Sequence, residues 1–343
     1  MHFAFDEQQL EFRAQLRAFT DKECTPAQVR EAWASDLGWS RARWRALADM
    51  GVVGLTVPAE QGGMGLGLVD LVLLLEEAGR SGLPEPVLET AALGVPVLVA
   101  ASGPAAQARC DAWLARVTDG DAVLAVGTED MPGVPGASGA DLLLLERGGE
   151  LHAVPAADTV IVPRPVLDGA RRLGRVEWEP SPSTLVATGA AGRDALASLR
   201  HRAATGSAAM LVGMAARLIA MAAGYALERN QFGRPIGSFQ AVKHHLADAS
   251  VRVEFARPAV YRAAWSLTEG APEAGVHASM AKSLASDAAT LAARAALQVH
   301  GAIGYTWEHD LHLWMKRAWA LAAAWGDAAD HRARVLASIG TPS

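Results

Sequence analysis

Two segments in the C-terminal half of the chain carry side chains suited to holding a large phosphorylated ligand. The first, residues 228–240, places Arg229 and Gln231 near the end of a predicted helix and beside a glycine–proline turn. A guanidinium group recognises a pyrophosphate well because its planar fork donates two parallel hydrogen bonds. Phe232 and Phe239 offer apolar faces for a ring system. The same spacing also fits a helix-turn-helix with a solvated arginine, so the residues alone leave both interpretations open.

The second segment, residues 298–310, is predicted to end a helix at Gly301. A glycine there, followed by the small Ala302, lets a bulky ligand approach the backbone. The amide of Gln298 suits the edge of an adenine or a ribose. This segment therefore complements the first as a candidate cofactor site.

The histidines near this segment do not predict a metal site. His300, His309 and His312 lack a carboxylate or cysteine at the fixed spacing that completes a ligand set. Cys24 and Cys110 stand outside any CxxC motif or Cys/His cluster. They are predicted to be reduced, buried thiols of a cytoplasmic protein.

Composition indicates an ordinary globular chain with a large core, since 51% of its 343 residues are hydrophobic and 20% are charged. The net charge is −6 and no basic stripe is present, which argues against a nucleic-acid partner. The N-terminus lacks the apolar region of a signal peptide. Residues 203–227 are apolar and long enough to span a bilayer, but they include Arg217 and many small residues. We expect a buried bundle helix there and no membrane span.

The distribution of helix-like and strand-like segments predicts a mainly α, α+β fold in three domains. Residues 1–112 are predicted to be helical, 113–188 to form a small β domain, and 189–343 to be helical again. The short runs that predict strands are residues 122–126, 141–145, 151–154, 159–162 and 175–178. The C-terminal helices also look too apolar for a solvent-facing surface, which predicts a dimer or a dimer of dimers. The residues behind that expectation are Leu211, Val212, Met214, Leu218, Ile219 and Met221.

Both chemistry-bearing segments resemble the acyl-CoA dehydrogenase family, especially its short actinobacterial-type members, and the resemblance covers nearly the whole chain. Four N-terminal stretches share it: FDEQQ at residues 5–9, MGVVGL at 50–55, PAEQGGMG at 58–65 and EEAGR at 76–80. Such a run of ordered motifs is specific. The resemblance implies the acyl-CoA dehydrogenase fold, with an N-terminal helical domain, a small middle β domain and a C-terminal helical bundle.

The resemblance also implies FAD as cofactor. In such enzymes the arginine–phenylalanine turn and the Gln-x-x-Gly-Gly segment of one subunit hold the adenosine and pyrophosphate of the FAD seated on its neighbour. Ala302 replaces the usual second glycine and narrows the backbone approach by one methyl group. The matching positions are Arg229, Gln231, Phe232, Phe239, Gln240, Gln298, Gly301 and Ala302.

The isoalloxazine side departs from the family pattern. The family has a Thr-Glu-Pro-x-x-Gly-Ser-Asp-like stretch whose backbone and hydroxyl meet the flavin. Here only Thr128 and Glu129 match it, and neither the Gly-Ser-Asp end nor the usual Trp-Ile-Thr-like strand is recognisable. Thr128 is the remaining candidate for a flavin contact, in a β domain that looks shortened.

The catalytic base is the second departure. α,β-Dehydrogenation of a thioester requires a carboxylate that removes the α proton, with its pKa raised towards neutrality in an apolar pocket. The position of the family's usual glutamate holds Trp325, and an indole offers only an N–H donor. A second known location corresponds to Ala203. Asp327, two residues beyond Trp325, is the remaining candidate base.

The resemblance implies an acyl-CoA substrate and leaves three hypotheses about the role of this chain. In the first, the chain is a subunit of a hetero-oligomeric acyl-CoA dehydrogenase and contributes FAD-binding residues to a glutamate-bearing partner. In the second, it is a self-sufficient homo-oligomer with a relocated base. In the third, it is a scaffold or acyl-CoA-binding protein without flavin chemistry. The family implies electron-transferring flavoprotein as electron acceptor. Residues 167–172 resemble members that act on bulky or steroid-derived thioesters.

Overall fold

The computed structural model describes residues 4–340. They form a mainly helical chain that divides into two compact units. We call them the helical unit, which comprises the residues up to Val29, Val72–Leu83 and the residues from Ala204 onward, and the mixed unit, Arg30–Leu71 with Pro84–Ala203. The first of the predicted domain boundaries, at residue 112, falls inside a helix that runs to Thr118.

The helical unit is built from long helices whose apolar faces pack on one another. Its helices are α1 (Glu7–Glu23), the second half of α4 (Leu68–Ser81), most of α7 (Gly189–Glu228), α8 (Gln240–Thr268), α9 (Ala274–His300), α10 (Leu311–Ala323) and α11 (Ala328–Gly340). A capping box starts α1, because Asp6 accepts from the backbone N–H of Gln9 while the Gln9 side chain accepts from that of Asp6.

Two adjacent glutamates on α4 tie three helices together. Glu76 pairs with Arg257 of α8 and also accepts from the Tyr261 hydroxyl at 2.7 Å. Glu77, almost fully buried, pairs with arginines of α1 and with Arg80. Burial opposes ionisation of Glu77, but the hydrogen bonds from Arg17 and Arg80 outweigh it and lower its pKa.

Helices α4 and α7 cross with their backbones almost in contact. A Cβ at Gly79 would lie 2.0 Å from the carbonyl oxygen of Met210, and one at Gly213 would lie 1.9 Å from that of Glu76. Only glycine fits at such a crossing. The family-like motif at residues 76–80 thus includes a glycine, Gly79, that the packing of α4 on α7 requires.

Helix α7 is long and apolar enough to cross a membrane, but half of its most apolar window is buried inside the chain. Residues 203–215 are buried without interruption, which confirms the predicted core helix over that stretch. Further on, the helix becomes more exposed, and Leu227 is 72% exposed. The predicted interface was wrong for α7 at four positions, because Leu211, Val212, Met214 and Leu218 are core residues of the chain itself.

The mixed unit combines short helices with all the strands between residues 124 and 187. Its helices are α2 (Pro26–Ala34, most of it), α3 (Arg41–Asp49), a π-helical turn (Leu88–Gly94), α5 (Val95–Val99) and α6 (Pro104–Thr118). Its strands are β1 (Leu124–Gly127), β2 (Leu142–Arg147), β3 (Glu150–Pro155), β4 (Val160–Pro163), β5 (Gly174–Glu177) and β6 (Leu185–Ala187).

The strands form a four-stranded sheet, β1-β2-β3-β6, and a two-stranded sheet, β4-β5. All five predicted strands are present. The sequence missed β6, which pairs antiparallel with β3. β1 and β2 are parallel, and the loop between them contains Thr128.

Candidate functional site

The first ligand-binding segment is a hairpin that follows α7. The helix ends at Glu228, earlier than predicted, and β7 (Asn230–Gln231) pairs with β8 (Arg234–Pro235). The tip requires left-handed backbone, with φ 53° at Phe232 and 79° at Gly233. The rings of Phe232 and Phe239 meet edge to face at 6.1 Å, and Arg234 lies 4.2 Å over the Phe239 ring. We call residues 229–240 the hairpin arm.

The side chains of the hairpin arm point to solvent. Phe232 is 92% exposed, and Arg229, Gln231 and Gln240 are also exposed, while Phe239 is partly covered. Among the residues that the structure describes, the Arg229 guanidinium has no hydrogen-bond or salt-bridge partner. An exposed aromatic ring beside a free cation fits the anionic, ring-bearing adenosine and pyrophosphate half of FAD.

The second segment follows α9, which ends at His300 as predicted. Gly301 has φ 63° and ψ −139°, a conformation that favours glycine, and a Cβ there would meet nothing within 4 Å. Gln298 and Ala302 are exposed. The methyl group of Ala302 therefore does not close the approach to the backbone. We call residues 298–305 the helix-end arm.

The histidines of this region pack as rings. His300 stacks on Tyr225 with centroids 4.5 Å apart, and His309 packs against His300 at 4.6 Å. His312 stacks on Trp307 instead. Within residues 4–340 no group of three or more His, Cys, Asp or Glu side chains is arranged to hold a metal ion.

The predicted flavin contact, Thr128, is buried in the mixed unit and already bonded. Its hydroxyl donates to the carboxylate of Asp130 at 2.6 Å, and Glu129 accepts from the backbone N–H of Gly148 at 3.1 Å. Arg200 in turn lies 3.8 Å from Asp130 and 3.1 Å from Glu146. The hydroxyl proton of Thr128 is thus already donated within the chain, and the role of Thr128 as a flavin contact stays a prediction. A pocket of about 330 Å³ adjoins this loop.

The position that the resemblance predicts for the base holds Trp325, whose side chain is an indole. Trp325 follows α10 with φ 61°, and Gly326 has φ 92°. His331 donates from Nε2 to the Trp325 carbonyl at 3.0 Å. The buried Lys282 donates to the carbonyl oxygens of Ala322 and Gly326 at 2.8 and 3.0 Å. These hydrogen bonds brace the backbone of the turn at Trp325 and Gly326, neither of which carries a carboxylate. At the second location, Ala203 is fully buried in α7.

Asp327 has the opposite properties from those of a poised base. Its carboxylate accepts from the backbone N–H groups of Ala329 and Asp330 at 2.7 and 2.9 Å, at the start of α11. These hydrogen bonds favour the ionised form and lower the pKa of Asp327, which is exposed. A catalytic base for α-proton removal needs a raised pKa. The role of Asp327 as base stays a prediction that this geometry disfavours.

Sequence reasoning missed the residues that support these segments, above all Tyr225, Lys282 and His331. Lys282 gave a usable signal, because it is a single cation in an otherwise apolar stretch of α9 and is fully buried. A buried ammonium group requires acceptors. Those acceptors, in the last turn of α10 and in the turn that follows it, could not be identified from the sequence.

Comparison with known proteins agrees with the fold and these segments. The family model "Acyl-CoA dehydrogenase, N-terminal domain" matches residues 6–121, and "Acyl-CoA dehydrogenase, C-terminal domain" matches residues 192–340. The acyl-CoA dehydrogenase IpdE2 of Mycobacterium tuberculosis is 35% identical over 320 residues, 91% of each chain.

Two solved structures are also similar. A chain of the ChsE4-ChsE5 complex from Mycobacterium tuberculosis has a TM-score of 0.89 at 25% identity, with all of both chains covered. The Tcur3481-Tcur3483 steroid ACAD has a TM-score of 0.85 at 26% identity, covering 97% of this chain and 98% of that one. The chain belongs to the acyl-CoA dehydrogenase family of FAD-dependent oxidoreductases.

Proposed function

We propose that this chain is a subunit of a hetero-oligomeric acyl-CoA dehydrogenase. It contributes the hairpin arm and the helix-end arm to an FAD seated on a partner chain, and that partner supplies the catalytic glutamate. The flavin accepts the β hydrogen as hydride. The observation that carries the proposal is the Trp325 turn, because the predicted base position holds an indole on a hydrogen-bonded turn while most of the residues predicted to hold the adenosine half of FAD are exposed.

Exposed apolar surface on the helical unit supports an oligomer. Side chains of α8 and α9 line a groove of about 490 Å³. Phe255 is 72% exposed and Val251 53% exposed at its rim, and Leu284 and Leu291 are more than a third exposed. Apolar patches of this kind mark protein interfaces. A heteromeric relative, the ChsE4-ChsE5 complex, supports a related chain as the partner.

The substrate class we propose is an acyl-CoA with a bulky, ring-bearing acyl group. The support is the resemblance of residues 167–172 to members acting on such thioesters, together with the similarity to a steroid ACAD. Electron-transferring flavoprotein is the proposed acceptor, and the cytoplasm the proposed location.

The alternative, a self-sufficient enzyme, requires a relocated base. Asp327 is the candidate at that place in the sequence, and its hydrogen bonds to the start of α11 disfavour it. The non-enzymatic alternative leaves the exposed, unpaired Arg229 without a role.

The test compares the chain alone with the chain co-expressed with a homologue that carries the family's usual catalytic glutamate. Each preparation receives FAD, a panel of acyl-CoAs and an artificial electron acceptor. We expect turnover only in the mixture, because general-base catalysis contributes about 10²–10⁴-fold. Robust turnover by the chain alone that disappears in Asp327→Asn would establish the relocated base instead.

A further inference from the structure

The two arms leave the ends of different helices, so something must fix their separation. The hairpin arm follows α7 and the helix-end arm follows α9. Both would contact the same half of one FAD under the proposed function. Tyr225 lies in the last turn of α7 and His300 is the last residue of α9, and their rings stack at 4.5 Å with an interplanar angle of 20°.

A third ring closes this contact. His309, in the loop before α10, packs edge-on against His300 at 4.6 Å and against Tyr225 at 6.5 Å. We call Tyr225, His300 and His309 the ring clamp. Its members come from the end of α7, the end of α9 and the loop before α10, and the resemblance assigns none of them to FAD.

Hydrogen bonds to the backbone fix the two imidazole rings. His300 Nδ1 lies 2.7 Å from the carbonyl oxygen of Ala296, so that nitrogen carries the proton. His309 Nδ1 accepts from the backbone N–H of Leu311 at 3.1 Å, so in neutral His309 the proton is on Nε2. Burial, aided by His309, lowers the pKa of His300. A neutral, oriented imidazole is thereby available to stack on Tyr225.

We propose that the ring clamp positions the hairpin arm against the helix-end arm and so sets the affinity for the adenosine half of FAD. Tyr225, His300 and His309 are positioning residues, since they act through the arms. The inference rests on the proposed function, because it matters only if the arms hold FAD.

The test measures FAD dissociation from the complex formed with the glutamate-bearing homologue. Tyr225→Leu removes the stack and should weaken FAD binding about two- to tenfold, the range of an aromatic pair. Tyr225→Phe keeps the ring and should bind FAD as the parent does. His309→Ala, which removes a half-buried ring, should weaken binding as well and serves if Tyr225→Leu does not fold.

Phe5→Leu is the matched control. It breaks another aromatic pair of the helical unit, Phe5 with Tyr261 at 4.8 Å, which does not involve either arm. It should lower the melting temperature without changing FAD affinity. Equal loss of FAD affinity in Phe5→Leu and Tyr225→Leu would mean that the ring clamp contributes only to overall stability, which would overturn the proposal.

Arg229→Ala, measured in parallel, separates the two proposals. If it weakens FAD binding while Tyr225→Leu and His309→Ala do not, the ring clamp is wrong and the contribution of the arms stands. If Arg229→Ala, Tyr225→Leu and His309→Ala all leave FAD binding unchanged, the arms do not hold FAD, and both proposals fail.

Discussion

The ammonium group of Lys282 lies 3.0 Å from the carbonyl oxygen of Gly326. This contact joins the middle of α9 to the turn that carries Trp325, in a part of the family's fold where a catalytic glutamate is usual. Lys282 is fully buried and also donates to Ala322 and to Ser286. The turn that carries Trp325 is thus anchored by a residue that is distant in sequence.

Replacing Lys282 by Met should destabilise the helical unit by about 2–4 kcal/mol, because buried acceptors lose their donor. The value is the free energy of unfolding from urea titration. Lys22→Met is the control, since the Lys22 side chain is 82% exposed. A Lys282→Met variant as stable as the parent would mean that the turn holds itself.

Gly213→Ala and Gly79→Ala should each lower the free energy of unfolding by about 1–3 kcal/mol, the range for overpacking. The reason is that the new Cβ would overlap a backbone carbonyl where α4 and α7 cross. Gly224→Ala, on the same helix α7, has open space around it and should be neutral or stabilising by about 0.5–1 kcal/mol. Thermal unfolding followed by circular dichroism distinguishes the three. Equal effects at Gly213 and Gly224 would contradict the close crossing.

Asp327 should behave as a helix cap. Asp327→Ala should lower the melting temperature, while Asp327→Asn, which retains an acceptor, should change it little. Because the folded pKa of Asp327 is lowered, its stabilisation is present above the unfolded pKa and is lost as the pH falls through the folded value. Neither variant should change the activity of the complex with a glutamate-bearing homologue, and loss of turnover in Asp327→Asn would speak for a base.

Arg229→Ala should weaken FAD retention by the complex about ten- to a hundredfold, since a charge-assisted contact contributes about 1.5–3 kcal/mol. The measurement is flavin content after dilution and gel filtration. Arg164→Ala, which lies outside both arms and outside the groove between α8 and α9, is a matched loss of one exposed arginine and should retain FAD. Full flavin content in Arg229→Ala would remove the pyrophosphate role.

His331 should make stability pH-dependent. Burial, the largest cause, lowers its pKa from 6.5 to about 4, and Lys282 contributes in the same direction. Between these values the unfolded chain binds the proton and the folded chain does not, so stability falls as the pH drops from about 6.5 towards 4. The loss amounts to about 2–3 kcal/mol. In His331→Gln, this part of the pH dependence of urea unfolding should disappear, and an unchanged profile would contradict it.

The segments that carry family chemistry and most regular elements could be predicted from the sequence. Five strands have local alternation or apolar runs that identify them, and the run at residues 203–227 predicts a helix that the structure buries over residues 203–215. Strand β6 was missed because Leu185–Ala187 is too short to show a pattern, and its pairing with β3 is a tertiary contact.

The predicted interface shows the limit of composition. Leu211 and Met214 are apolar because they pack in the core of this chain. An apolar helix has the same kind of sequence whether it packs against its own chain or against another. Only packing revealed that the exposed apolar residues are instead Phe255, Val251 and their neighbours on α8 and α9.

By itself, the sequence determined the identity and order of Trp325, Ala203, Arg229, Gln298 and Gly301, and with them the roles that the resemblance predicts, because residue identity and order are local facts. The tertiary structure decided what those residues can do. Hydrogen bonds from Lys282 and His331 hold the Trp325 turn in left-handed backbone. The stack of Tyr225 on His300 joins the two arms. Such contacts join residues far apart in the chain, and no local pattern encodes them.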